Sequence, residues 1–363
     1  MNKYSFAFIV HSRNRSDLPR KFPFLRFLPK TIFDVLTLHL PPFRVSEITG
    51  LVGTDGKELT GALIGIPMTA HQLLEHRDRA KKRIIEAVRL AEKLGAQHIG
   101  LGAMTASLSA GGQHAVEHAT SACLTTGRTF TVKNIVSYAE FVTQRFGMDK
   151  TQIRIGIVGA AGGIGFGTAA ELARRGYKRF ALIDLERKLD RVESRLQAEQ
   201  PSHDLELEIT HQFSTLATCD IVVAATSAPE AVIASSDITS GTIIINDAQP
   251  SDISPEIVHD RPDVLVIEGG VLRSNHMNCH LYMGLADKHD IFSCLAEVLV
   301  LTAGDNKTCR LFGDVDPSLY TQIDAIGEKL GFRPSLQNDA GVIDEERLSA
   351  FADVIALRRA QAL

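Results

Sequence analysis

Cysteine pairs, long apolar runs and metal-spaced histidines are scarce in this chain, and each scarcity closes a class of function. The 363 residues hold five cysteines, at 123, 219, 279, 294 and 309, scattered and without CxxC spacing. An odd, unpatterned set argues against a disulfide framework and a structural zinc site, and it fits a reducing compartment. No apolar run is long and clean enough to span a bilayer. The first one, Tyr4 to Val10, is short and runs into His11, Arg13 and Arg15, which is not the layout of a secretory signal. These features point to the cytoplasm. Of thirteen histidines, His114 and His118 sit four apart around Glu117, but HAVEH is not a zincin order, so no metal is expected. Internal repeats and nucleic-acid motifs are also missing, and no DNA or RNA partner is expected.

What is present is enough chain for two sizeable cores, with 44% hydrophobic residues and an ordinary charge content. Charge is uneven along it. Residues 1–83 carry 14 Lys and Arg against 7 Asp and Glu, whereas the remainder carries 25 against 36. The asymmetry fits either an acidic partner for the basic part or a merely solubilising surface.

The most informative run is Ile153 to Asp184, IRIGIVGAAGGIGFGTAAELARRGYKRFALID. An apolar strand enters a turn holding Gly159, Ala160, Gly162, Gly163, Ile164 and Gly165. A helix and a second strand follow, ending on Asp184. Glycines let backbone N–H groups approach a pyrophosphate, and the helix N-terminus faces its charge. Strand, turn, helix and terminal acid together are the fingerprint of a dinucleotide-binding βαβ unit, so the expected cofactor is NAD(P)H. Asp184 is placed to meet the adenosine ribose, and Arg187 to meet a 2′-phosphate. Further short strands end at Thr226 and Ser227, at Asp247, and at Glu268 to Gly270. They continue a doubly wound sheet whose strand ends line the cofactor, with Thr226, Ser227 and Gly270 as contacts.

Before this unit, an apolar strand at Tyr4 to Val10 leads into a basic, Pro- and Phe-rich segment, residues 19–30. That segment reads as a flap or as a loop packed on the core. A hairpin turning at Thr54–Gly56 follows, then a basic amphipathic helix over about Thr69 to Leu94. The strand His98 to Met104 and the run Thr125-Thr126-Gly127 lead to a helix over about Val132 to Phe146. The fold class is α/β. An N-terminal α/β substrate domain (1–150) precedes a Rossmann-type doubly wound dinucleotide-binding domain (151–290), and a C-terminal helical segment (291–363) carries Cys294.

Residues 287–301, DKHDIFSCLAEVLVL, place Cys294 in the first turns of a helix with Asp290 as a candidate N-cap. The helix dipole, Lys288 and His289 all favour a thiolate there. A small buried thiol on an apolar face is the competing reading. The chain resembles the cyanobacterial-type long-chain acyl-carrier-protein reductases, which form fatty aldehydes. The resemblance runs from the first strand to about Pro334. It is carried by Val45 to Thr49, the basic helix around Arg77 to Glu92, Leu124 to Gly127, Val158 to Ala160, Gly269 to Val271 and Phe292 to Glu297. It implies that Cys294 takes an acyl group from a thioester and that NADPH reduces the acyl-enzyme to the aldehyde.

The same resemblance implies acyl carrier protein or acyl-CoA as substrate partner and an aldehyde-consuming enzyme downstream, and a greasy product would suit peripheral membrane contact by the Phe- and Arg-rich residues 20–30. The related reductases have a basic residue near position 184, where this chain has Asp184, which leans towards NADH. His289, His280 and Ser293 are candidate general acids. The alternatives are a shikimate-type NAD(P)-dependent two-domain dehydrogenase, which needs no thiol, and a non-catalytic nucleotide-binding protein.

Overall fold

The computed structural model describes residues 4–12, 15–118, 121–199, 204–274, 276–304 and 315–361. Cys309 lies outside them. The chain folds into two compact units, each discontinuous in sequence. The first joins the chain up to Phe130 with Leu272–Arg333, and the second joins Thr131–Val271 with the chain from Pro334.

In the first unit, five strands are ordered β2-β3-β1-β4-β5: β1 (Phe6–Ser12), β2 (Phe43–Val52), β3 (Glu58–Thr69), β4 (His98–Leu101) and β5 (Cys123–Thr125). The β2–β3 pair is the antiparallel hairpin expected around Gly56, and β3, β1, β4 and β5 run parallel. Strand alternation sorts β1 onto two faces. Ala7 and Ile9 pack with Ile84, Ala87, Val88 and Ala91 of the helix Arg77–Lys93. Phe6 and Phe8 pack with Leu295, Val298 and Leu299 of the helix Ser293–Ala303.

The single basic helix expected over Thr69 to Leu94 is two helices, Ala70–Glu75 and Arg77–Lys93, broken at His76 (φ −115°, ψ 55°). Thr69 and Gln72 form a capping box on the first of them. The basic, Phe-rich segment is not loop but short helices, Asp17–Lys21 and Lys30–His39, around a 3-10 turn at Pro23–Phe27.

In the second unit, six strands all run parallel in the order β11-β10-β9-β6-β7-β8: β6 (Arg154–Val158), β7 (Arg179–Ile183), β8 (Glu206–Thr210), β9 (Ile221–Ala224), β10 (Ile243–Asn246) and β11 (Leu265–Glu268). Strands 6, 7, 9, 10 and 11 are buried along nearly their whole length, as parallel strands covered on both faces must be. The doubly wound α/β fold is that expected from the sequence.

The units divide elsewhere than at residues 150 and 290. The helix Arg128–Arg145 belongs mainly to the nucleotide unit because Asn134 donates to Gly269 O at 2.8 Å and the Tyr138 hydroxyl to Val271 O at 2.8 Å. The chain after residue 290 is not one segment. Residues up to Arg333 complete the first core, and those beyond complete the second. In the latter, Asn338 donates to Val266 O at 3.2 Å, Arg347 donates to Val264 O at 2.7 Å, and the Phe146 and Phe351 rings meet at 5.4 Å. Among the described residues no helix is long and apolar enough to cross a membrane.

Candidate functional site

Strand order reverses between β6 and β9, and ligands of such sheets bind beyond the carboxyl ends of the strands at that point. β6 leaves the sheet through Gly159 at φ +88°, where a Cβ would lie 2.6 Å from the Ala225 carbonyl oxygen on the β9 side. Only glycine fits both the angle and the approach. Gly162 stands at the N-cap of the helix Gly163–Arg174 with no side-chain cap. A Cβ on Gly165 would lie 2.4 Å from Gly159 O, so the helix rests directly on the turn. The first intrahelical bond is Phe166 N–H to Gly162 O at 3.1 Å. The N–H groups of Gly163, Ile164 and Gly165 precede it and are the donors a pyrophosphate takes. The turn, with Ala160 buried beneath it, fits a dinucleotide.

Asp184 is buried, and its carboxylate serves the turn. Oδ2 accepts from Ala161 N–H at 2.8 Å, Oδ1 accepts from Leu185 N–H at 2.8 Å, and the Lys188 ammonium stands 3.2 Å from Oδ1. Arg187 is exposed beside it. Sequence reasoning missed Arg195. Its guanidinium lies 4.0 Å from the Phe166 ring centroid and donates to the carbonyls of Gly162 (3.2 Å) and Ala161 (3.4 Å). Nothing in the spacing announces an arginine that reaches back across thirty residues to the glycine turn.

At the other strand ends, Thr226 N–H donates to Asp252 Oδ2 at 2.8 Å and its hydroxyl to Oδ1, while Ser227 is exposed. Three acids collect at the ends of β10 and β11. Burial, with Asp252 nearby, pushes the Asp247 carboxyl up to about 8. Burial, with Asp339 and Asp247 nearby, pushes Glu268 up to about 8. Asp252 is raised by burial against the opposing pull of its Thr226 hydrogen bonds. Asn246 donates to both Glu268 oxygens, at 3.2 and 3.3 Å. A Cβ on Gly270 would lie 2.5 Å from Asp247 Oδ1, so this glycine makes room for the carboxyl. Asp247 and Glu268 were visible in the sequence only as residues following strands, and Asp252 was not noticed. Buried carboxyl groups whose pKa is raised at strand ends are candidates for moving protons.

Cys294 belongs to the first unit. Asp290 does not cap its helix. It opens the strand Asp290–Phe292, where its carboxylate holds Arg273 at 3.0 Å, and Phe292 is the N-cap. Cys294 is half-buried, and Gly127, at φ +75°, packs against it so closely that a Cβ there would meet Cys294 Cβ at 2.2 Å. One turn on, the fully buried Glu297 accepts from Gly127 N–H (2.9 Å), Phe130 N–H (2.8 Å) and the Thr125 hydroxyl. A carboxylate thus fills the N-terminus of the helix Arg128–Arg145. Of the candidate general acids, Ser293 is buried, His289 is half-buried, and His280 is exposed with Nε2 2.8 Å from the Thr49 hydroxyl. Burial pushes the thiols of Cys219 and Cys279 up to about 11 and about 12, which leaves them inert.

The basic helix is partly committed within the fold. Arg83 donates to His39 O and Arg79 to Leu38 O at 3.5 Å, closing the end of the helix Lys30–His39. Among the described residues no group of three His, Cys, Asp or Glu is arranged to hold a metal.

Residues 140–268 match the family model Shikimate / quinate 5-dehydrogenase. Aminotransferase PigE of Serratia sp. (strain ATCC 39006) is 24% identical over 270 residues, covering 72% of this chain, and the chain spans 30% of that relative's length. The structure of shikimate 5-dehydrogenase from Listeria monocytogenes in complex with shikimate and NAD covers 90% of this chain and 96% of its own, at 10% identity and TM-score 0.34. L-tryptophan dehydrogenase from Nostoc punctiforme covers 98% of this chain and 88% of its own, at 12% identity and TM-score 0.37. The matched model and the glycine cradle support the nicotinamide cofactor and the oxidoreductase class expected from the sequence.

They overturn the resemblance to acyl-carrier-protein reductases, and reduction of an acyl thioester to an aldehyde does not stand. The matched family is one of shikimate and quinate dehydrogenases. Two of the segments that carried the resemblance, Leu124 to Gly127 and Phe292 to Glu297, meet in the buried knot around Glu297 and hold the first unit together.

Proposed function

We propose that the chain is an NAD(P)-dependent dehydrogenase of the shikimate type, oxidising a secondary alcohol of a small hydroxy acid to the ketone and running in reverse as a reductase. The observation that supports this most is the glycine cradle at the reversal point of six parallel strands, inside the residues that match the dehydrogenase model. A nicotinamide dinucleotide bound there accepts or supplies the hydride. The chain's own residues do the rest. First-turn N–H groups of the helix Gly163–Arg174 hold the pyrophosphate. Asp184, Lys188 and Arg195 fix the turn that presents those donors. Asp247 and Glu268, held near neutrality by burial, are the acid–base candidates for the alcohol proton at the strand ends.

The test is calorimetric titration with NADH and NADPH, followed by turnover with shikimate, quinate and simpler hydroxy acids. The expected result is dinucleotide binding and hydroxy-acid oxidation, both surviving Cys294→Ala, since the reaction needs no thiol. Binding without oxidation of any hydroxy acid would overturn the dehydrogenase reading, and loss of turnover in Cys294→Ala would overturn its chemistry.

A further inference from the structure

The first unit carries one concentration of exposed apolar side chains. Phe24 is 64% exposed, Phe27 87%, Ile32 54% and Val35 61%. Single exposed apolar residues are ordinary, but four within this short stretch of chain are not. Tyr282, also exposed, lies under the Arg20 guanidinium at 5.8 Å from the ring centroid and adds a further ring.

Cations interleave with these groups. Arg20, Lys21, Arg26 and Lys30 are all exposed, against only Asp17 and Asp34 in residues 17–40, and Asp17 is taken by Arg20 at 3.0 Å. Among the described residues Lys21, Arg26 and Lys30 have no ion-pair partner. The segment is anchored from beneath. Leu25 and Phe33 are buried, the Thr37 hydroxyl meets Gln72 Oε1 at 3.1 Å, and Gln72 Nε2 donates to Asp34 O at 2.9 Å. The rings and cations are therefore held outward by the fold.

We infer that residues 20–35 are an interfacial anchor that docks this unit on a membrane surface rich in anionic lipid headgroups. The chemistry is that of shallow interfacial binding. Rings and branched side chains enter the headgroup–acyl boundary, and Lys and Arg remain at the phosphates. The helix Lys30–His39 has ten residues, about 15 Å of rise. That length suits lying in the interface, not crossing it. The interleaved positive charge argues for an anionic lipid surface over a second copy of the same basic face, which would repel it.

The experiment is co-sedimentation of the full chain with vesicles of phosphatidylcholine alone and of phosphatidylcholine with phosphatidylglycerol. Binding is expected only with phosphatidylglycerol and should weaken as salt is added. The bound fraction should fall about tenfold or more in Phe24→Ser/Phe27→Ser. Lys21→Glu/Arg26→Glu should abolish the lipid preference. Far-UV circular dichroism and melting temperature, unchanged in both variants, report that they fold. Equal binding to both vesicles, no binding, or wild-type binding by the Ser variant would overturn the inference. So would a dimer in light scattering that Phe27→Ser dissolves, which would assign the face to a second copy. Vesicle binding is read without substrate or cofactor, so it stands or falls independently of the dehydrogenase reading.

Discussion

A carboxylate buried as deeply as that of Glu297 persists only where hydrogen bonds replace water, and here the backbone N–H groups of Gly127, Thr129 and Phe130 and the Thr125 hydroxyl do so. Glu297→Gln keeps the shape but turns part of an acceptor into a donor facing the N–H groups of Gly127 and Phe130. Stability should drop by about 2 kcal/mol, read as a lower urea midpoint with an unchanged slope. The sequence displayed Thr125, Gly127 and Glu297 but not that they touch, because 170 residues separate Gly127 from Glu297. Glu268 makes a second residue-scale prediction. Its folded pKa is raised from 4.5 to about 8, so the folded chain holds this proton more tightly than the unfolded one. Its contribution is complete below pH 4.5, is lost as pH rises from there to about 8 at a slope approaching roughly 1.4 kcal/mol per pH unit, and falls no further above that. Glu268→Gln removes that slope, so denaturation midpoints of variant and wild type should diverge in the variant's favour as pH rises. Burial created the shift, and burial is invisible in the run Ile267-Glu268-Gly269.

At the scale of elements, the strand–turn–helix–strand unit was legible because each part has a local physical cause: φ at Gly159, close approach at Gly165, and short apolar strands buried on both faces. What escaped notice depends on where one element meets another. Arg195, on the helix Leu189–Glu199, reaches the turn and stacks on Phe166. Arg195→Ala should loosen the donor array and weaken dinucleotide binding about tenfold by calorimetry, about 1.4 kcal/mol, without lowering the melting point of the unit by more than a few degrees. A merely structural arginine would shift the melting point first. The helix break at His76 and the strand at Asp290 were hidden for the same reason. A helical pattern through 69–94 continues across a bend, and an acid before a helix looks like a cap until its carboxylate is found on Arg273.

At the scale of the whole molecule, fold class was readable from the alternation of strand and helix, but domain edges were not. Linker composition gives no sign that the chain returns from the nucleotide unit to complete the first core and then goes back again. That return makes a prediction. A fragment of residues 131–271 should lack cooperative unfolding by circular dichroism, because it loses Asn338 and Arg347 from the carbonyls of β11 and its neighbour, and Phe351 from Phe146. The same fragment joined by a flexible linker to residues 334–361 should unfold cooperatively. Cooperative folding by the shorter fragment would mean that the terminal segment is an accessory.

This interleaving has a consequence for the order of assembly as the chain leaves the ribosome. The first sheet emerges early, yet its second layer arrives only with residues 293–303, and the nucleotide unit waits longer still, for residues 334–361. Neither half can close on its own schedule. Completion of the dinucleotide unit therefore waits for residues 334–361, which follow the glycine turn by well over a hundred residues.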